Sequence, residues 1–371
     1  MARASSSMQS MALPLVKSLE RREMSSINKP RVRLLRRGSS LVALAALGAL
    51  AMTASAQPSV RHSTGEKAGV SLALILDDLT NPVELPLRKG AEAAAKKYGF
   101  SLKIVGPSPN TAQAQIALVQ DEVAAKVNGI VMLPVDSSAL VPAINAAVDG
   151  GVPVATTELD APTSKRSFFY FGGTPPLQQG MMQADRVAAY EKAHGATGTV
   201  NVVVTSCLPT VTGQQDRRKG FEQEIAKLNK TMSFKLKEVA FANTTTDPAK
   251  NLSNIQNLYT ANGSKMQVAY AMCGPDTQNW GTVLKRANNH NILVAGYDWL
   301  PQTLNLIGQG WVAWSLGSSL YDEGFHTFGV MYQHFANGKP LPTGFAHGTS
   351  TWATKANLAH VRQSPDVKYA G

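Results

Sequence analysis

Ten side chains or backbone positions in this 371-residue chain are of types and at spacings suited to holding a small polar molecule by hydrogen bonds. Asp77, Asp78, Asn81 and Glu84 follow one apolar run, and Glu158 follows another; Gln214 and Gln215 open a helical segment, Gly274 follows a third run, and Asp298 and Trp299 a fourth. A carboxylate accepts two hydrogen bonds from adjacent hydroxyls, an amide both donates and accepts, and an indole face stacks on C–H surfaces or cationic groups. Each has a plainer use: Asp298 as a turn or helix cap, Asn81 before Pro82 as a cap, Gln214 and Gln215 as helix-start residues, and the acids as solvated charges. Asp77, Asp78, Glu84 and Glu158 would give one region an acidic rim suited to a cation or a polyol. Trp280, Trp299, Trp311 and Trp314 concentrate in the second half. Trp299 is the one expected at a cleft, whereas Trp311 and Trp314 flank a strand and are expected to pack.

Catalytic and metal chemistry lack their signatures. The chain has no Gly-rich phosphate loop, no His cluster at metal-ligand spacing and no GxSxG elbow, so no enzyme, cofactor or metal site is expected. Cys207 and Cys273 are the two cysteines. They follow strands that should be neighbours in a doubly wound sheet; a disulfide and a pair of small buried thiols are both open.

The elements that must position these residues follow one pattern. From Val70 onward, short runs rich in Val, Ile and Leu alternate with longer segments of helical period, as in parallel sheets covered by helices on both faces. Strands are expected near residues 71–76, 101–105, 130–133 and 152–156, with helices between them. After a break over 171–176 the alternation resumes, with strands near 200–204, 234–240, 268–272, 292–295 and 312–315 and a long helix over 320–336. In open parallel sheets ligands gather at the carboxyl ends of strands, where Asp77, Asp78, Asn81, Glu158, Gln214, Gln215, Gly274, Asp298 and Trp299 are expected to fall.

Length and composition bound the rest. The chain exceeds one ordinary domain. Its formal charge of +11 sits largely in residues 1–56, where nine Lys and Arg face two Glu, so the remainder carries +4. That balance gives no reason to expect nucleic acid as a partner. The first 56 residues have the order of a secretory signal: basic Arg31, Arg33, Arg36 and Arg37, an apolar run from Leu41 to Met52, then Ala54-Ser55-Ala56. Cleavage after Ala56 and a periplasmic product are expected, with Met24 as an alternative start. The apolar run is too short for a spanning helix.

The segments LILDDLTNP (74–82), KVNGIVMLPVDSSALVPAI (126–144), GGVPVATTELD (150–160) and LVAGYDW (293–299) resemble the type I periplasmic sugar-binding family that includes ribose-binding proteins. GTPPLQQGMM (173–182) and PTVTGQQ (209–215) look closer to its rhamnose and autoinducer-2 branch. The resemblance implies an α/β fold of two doubly wound parallel-sheet lobes joined by a three-segment hinge. It places a signal peptide over 1–56, a flexible segment over 57–69, one lobe over 70–174 plus 319–345 and the other over 175–318 plus 346–371. It implies a monomer that binds a sugar or sugar-like ligand and delivers it to an ABC permease of the inner membrane; a sensor presenting its ligand to a chemoreceptor or kinase is the alternative. Asn81 and Asp298 match positions that hydrogen-bond sugar hydroxyls, and Glu158 stands where many members have Asp. The departures are as informative. The aromatic pair of ribose binders falls at Val83 and Glu84, the sugar-gripping Arg aligns with Gln215, and an Asn-Asp pair with Cys273-Gly274. Gly213 replaces an Asp of the autoinducer-2 pattern, which keeps Gln214, and Asp77 stands where that branch has Lys. The expected solute is sugar-like but held differently from ribose.

Overall fold

The computed structural model describes residues 69–369 apart from residue 109. The signal segment and its cleavage point lie outside the described residues. Within them, no helix is long and apolar enough to cross a membrane.

The first sheet begins with β1 (Ser71–Ile75), β2 (Ser101–Val105), β3 (Gly129–Met132), β4 (Val154–Thr157) and β5 (Phe168–Phe171). Between these strands run α1 (Leu85–Tyr98), α2 (Ala112–Ala124) and α3 (Val141–Asp149). The chain then crosses to a second sheet. It lays down α4 (Pro176–Ala193), β6 (Gly198–Ser206), α5 (Thr212–Leu228), β7 (Phe234–Asn243), α6 (Pro248–Asn262), β8 (Val268–Ala271), α7 (Gly274–Arg286), β9 (Leu293–Tyr297), α8 (Pro301–Gln309) and β10 (Trp314–Gly317). It returns through α9 (Leu320–Asn337) and β11 (Gly344–His347), and crosses a third time into β12 (Thr351–Thr354). Two short helices, α10 (Leu358–Val361) and α11 (Pro365–Lys368), follow.

The strand orders are β11-β5-β4-β3-β1-β2 and β12-β10-β9-β8-β6-β7. Every pairing is parallel except β12 against β10. Each sheet with its helices is a lobe, and the two orders are the same winding used twice.

Burial on both faces explains the apolar strands. Leu72 and Leu74 pack with Leu87 and Ala91 of α1 and Phe328 and Met331 of α9, while Ala73 and Ile75 face Val119 of α2 and Ile144 of α3. The second lobe repeats this. Val202 and Val204 meet Val187 of α4 and Phe221 of α5, and Val203 meets Trp280 of α7 and Leu304 of α8. Each fully buried Leu, Ile or Phe contributes about 1.5–3 kcal/mol of transfer free energy.

Several elements depart from the sequence expectation. Residues 168–171, where no strand is expected, form β5, whose Phe-Phe-Tyr-Phe sequence lacks the Val/Ile run of its neighbours. β11 and β12 were not anticipated either; β11 is an exposed edge strand, so no apolar alternation marks it. α8 is an unforeseen short helix, and the strand expected over 312–315 lies two residues later.

One close helix crossing in each lobe sets the position of the cleft residues. α4 and α5 touch backbone to backbone at Gly180 and Gly220; a methyl group on Gly180 would strike the carbonyl oxygen of Arg217, and one on Gly220 that of Leu177. α1 and α9 cross in the same way at Gly90 and Gly324. Gly180→Ala is expected to force α4 and α5 apart and to destabilise the protein by about 1–3 kcal/mol, read as a lower urea midpoint. An unchanged midpoint would show that the crossing tolerates a side chain.

Candidate functional site

The carboxyl ends of both sheets face one gap, which encloses about 410 Å³ not filled by protein atoms, part of it continuous with solvent. The first lobe contributes Asp77, Asn81, Val83, Glu84, Glu158, Leu159 and Leu320; the second contributes Cys207, Leu208, Gln214, Arg217, Cys273, Pro275 and Asp298.

Local structure explains why each polar group points inward. Asp77 lies two residues beyond the end of β1 and is fully buried, and among the described residues neither carboxyl oxygen has a side-chain hydrogen-bond partner. Asn81 caps the single helical turn Pro82–Glu84, its Oδ1 accepting from Val83 N at 3.2 Å, and its Nδ2 donates to Glu84 Oε1 at 3.4 Å. Glu84 is buried, with Oε2 unpaired. Glu158 and Asp298 each end a central strand, and each is held in the left-handed region at φ 56° and 67°. A residue with a Cβ in that region stores about 1–2 kcal/mol, which the packing around it must offset. Asp298 Oδ2 accepts from Gly274 N, the first residue of α7, at 2.7 Å. The exposed partial positive charge of that helix end supports a carboxylate there.

Arg217 is the cation of this lining. It is buried, its Nε donates to Gln179 Oε1 at 2.8 Å, its Nη1 donates to Met272 O at 3.0 Å, and its guanidinium lies 4.2 Å from the Tyr297 ring centroid. Gln179 in turn donates to Ser350 Oγ at 2.8 Å and Ser318 Oγ at 3.4 Å, two residues of the interlobe crossovers. In the first lobe the equivalent support is Glu323, buried on α9. Its Oε1 accepts from Gly172 N at 2.8 Å in the first crossover, and its carboxyl shares a hydrogen bond with Glu158.

Burial dominates the electrostatics. It pushes the Asp77 carboxyl up to about 8, with Asp78 and Glu158 adding like-charge repulsion. Glu158 is raised to about 7 by burial, against the opposing pull of Arg217. Glu323 is raised well above the carboxylate range by burial and by the neighbouring Glu158. Asp298 is raised by burial, an effect that Arg217 and Gly274 N oppose.

The remaining sequence-derived residues fall nearby or elsewhere. Asp78 does not line the gap. Its Oδ1 accepts from Thr80 N and Oγ1, and its Oδ2 accepts from Thr246 Oγ1 of the other lobe at 3.2 Å. Gln215 is exposed and donates to Pro209 O at 3.3 Å; the arginine that lines the gap is Arg217, one helical turn beyond Gln214 on α5. That spacing was the available signal. Trp299 lies just outside, packed on Gly317, with its Nε1 donating to Ser315 O at 3.4 Å; it lines a neighbouring pocket with Val83, Pro86 and Asp298. Trp280 and Trp314 are core residues, donating to Thr205 Oγ1 and Gln183 Oε1, and Trp311 stacks on His290. Cys207 and Cys273 form a disulfide across the ends of β6 and β8, with Cα atoms 6.3 Å apart, and it forms part of the lining. Among the described residues no three His, Cys, Asp or Glu side chains could jointly hold a metal ion.

Two like-wound α/β lobes around a polar cleft at the strand ends define a class: ligand-binding proteins that enclose a small molecule between lobes. Residues 72–340 match the periplasmic binding protein domain, and the chain belongs to that family in its type I, sugar-binding form. Over 251 residues it is 25% identical to the ribose import binding protein of Escherichia coli K12, covering 68% of this chain and 80% of that protein. Over 293 residues it is 25% identical to the D-allose-binding periplasmic protein of the same strain, covering 76% and 89%. Two solved structures share the fold. One is a carbohydrate transporter solute binding protein from Agrobacterium radiobacter in complex with D-arabinose (TM-score 0.71, 24% identity, 82% of this chain and 99% of that one). The other is the Caulobacter myo-inositol binding protein (0.70, 20%, 81% and 97%).

Because Asp77 and Glu158 bind protons more tightly folded than unfolded, their contribution to stability is complete at low pH and is lost as pH rises through about 8 and about 7. The ligand-free melting temperature is therefore expected to fall between pH 5 and pH 8.5. Asp77→Asn, which cannot ionise, should flatten that fall. An equal slope in the variant would show that Asp77 is ionised in the folded protein.

Proposed function

We propose that the protein captures a sugar or sugar-like small polar molecule in this cleft and, as an exported component of an ABC importer, hands it to a permease of the inner membrane. The observation that carries the reading is the lining itself, in which both lobes supply partly unpaired hydrogen-bonding groups to one enclosed space. The names of the relatives, one a ribose import and one an allose-binding protein, support a sugar-like solute. So does the make-up of the site, in which apolar side chains alternate with several hydrogen-bond acceptors from both lobes. The Cys207–Cys273 disulfide suits an oxidising compartment. We further propose cleavage after Ala56 and lobes over 70–174 plus 319–345 and 175–318 plus 346–371. A periplasmic product whose mass does not place its N-terminus at Gln57 would overturn the cleavage site.

Binding would act by closure. The lobes already touch through Thr246 to Asp78, Thr210 Oγ1 to Val135 O at 3.3 Å, and Thr212 N to Ser137 Oγ at 2.9 Å. These are a few neutral or charge-assisted bonds of about 0.5–3 kcal/mol each. A ligand that bonds to both Asp298 and Glu158 would add to them only in the closed form, and that difference is what drives a hinge. The closed surface is then what a permease recognises.

Thermal-shift measurements against pentoses, hexoses, deoxysugars, polyols and their derivatives are expected to reveal at least one compound that raises the melting temperature with its concentration. Asp298→Asn, which suits the left-handed backbone, should fold with a melting temperature close to that of the parent and lose that rise; a retained rise would remove Asp298 from the ligand's contacts. In the host, deletion of the gene should abolish high-affinity uptake of the same compound. Intact uptake with loss of a chemotactic or transcriptional response would favour the sensor role instead.

A further inference from the structure

We infer that the cleft is built for a polyhydroxylated ligand carrying a protonated amine, because it presents four carboxyl groups against one guanidinium and leaves buried carboxyl oxygens without partners. The inference rests on the binding role proposed above and narrows its ligand class.

The four acids are Asp77, Glu84, Glu158 and Asp298, and among the described residues no lysine lines the same space. Arg217 offsets only part of this charge: its guanidinium favours the ionised forms of Glu158 and Asp298 but does not act on Asp77. Asp77 is the decisive group: fully buried, lining the cavity, and with no side-chain partner for either oxygen. Glu84 Oε2 and Glu158 Oε2 are likewise buried and unpaired. A neutral hydroxyl can donate one hydrogen bond to such an oxygen. An ammonium group donates up to three and also supplies the missing charge, which matters where water is excluded. A buried carboxylate left unpaired costs several kcal/mol, so the empty site keeps its acids partly protonated, and a cationic ligand would displace those protons. The other charged groups facing Asp77 are Asp78 and Glu158, with Glu323 behind Glu158, and none supplies positive charge.

A metal ion would meet the charge requirement but not the geometry, since no three of these groups converge closely enough to ligate one. The cation must therefore be spread over a larger molecule. Asn81, Gln214 and the far oxygen of Asp298 remain to meet its hydroxyls. A carboxylate-bearing sugar acid would face four acids with only Arg217 in its favour.

Matched sets of probes test this: D-glucosamine, D-galactosamine and N-methyl-D-glucamine against D-glucose, D-galactose and D-glucitol, and against D-glucuronate and D-gluconate. Dissociation constants would be read by calorimetry on the mature protein at pH 6.5, where the amines are already protonated in solution. At least one amine is expected to bind ten-fold or more tightly than its neutral counterpart. Its binding should release protons, seen as a heat that varies with the buffer's ionisation enthalpy. Asp77→Asn and, independently, Glu158→Gln should reduce that ten-fold preference while leaving the melting temperature of the free protein the same or higher. Equal or tighter binding by neutral sugars would overturn the amine assignment and leave the sugar-binding role standing. Tighter binding by the acids would overturn it as well. An absence of binding by all three classes would count against both readings.

Discussion

Parallel strands end with their backbone groups aligned in one direction, and in this protein two such sheets aim that end at the same gap. Most of the site follows from this constraint. Glu158 comes directly after β4, Cys207 after β6 and Asp298 after β9, while Asp77 and Cys273 lie two residues beyond β1 and β8. The helices that follow begin at the gap, so their free N–H groups face it, as Gly274 N does toward Asp298. The sheets cannot be buried on both faces by helices without also sending these strand ends, and the polar residues that terminate them, into the space between lobes. The same arrangement removes water from those residues, and the raised carboxyl pKa values of Asp77 and Glu158 are the direct result.

The cleft is tied to the crossovers that any lobe movement must bend. In the second lobe the tie runs from Arg217 through Gln179 to Ser318 and Ser350. In the first it runs from Glu158 through Glu323 to Gly172 N. Both intermediaries are fully buried, so neither can trade its partner for solvent without leaving a polar group unsatisfied. The charge state of the cleft and the geometry of the hinge are thereby linked through two short hydrogen-bonded chains. The backbone adds its own constraint. Glu158 and Asp298 occupy related corners of the two lobes, and both are in a conformation that disfavours side chains. Strain kept at two equivalent corners, where glycine would relieve it, is understandable if the carboxyl groups themselves are needed.

The alternation of apolar runs with helical segments was legible because the central strands, such as β1, β3 and β8, are buried on both faces, which favours apolar residues along their length. Where that physical demand lapses, the sequence loses its signal. β5 uses aromatics, β11 is an exposed edge, and α8 is a single short amphipathic segment, and all three escaped. The rule that ligands collect at strand ends selected Asp77, Glu158 and Asp298 from the chain alone, because their position depends only on where strands stop.

What the sequence could not determine was which neighbours of those positions turn inward. Gln214 and Gln215 are adjacent and chemically identical, yet helix α5 buries one and exposes the other, and Arg217 shares the buried face because it stands one turn on. Asp77 and Asp78 differ in the same way, one left without a side-chain partner in the cavity and the other spent on Thr80 and Thr246. The amino-acid order by itself decided the two lobes, their winding and the strand ends that meet. Only the tertiary structure decided how four acids and one arginine share the space between them, because that depends on crossing helices and apposed lobes, contacts made between residues far apart in the chain.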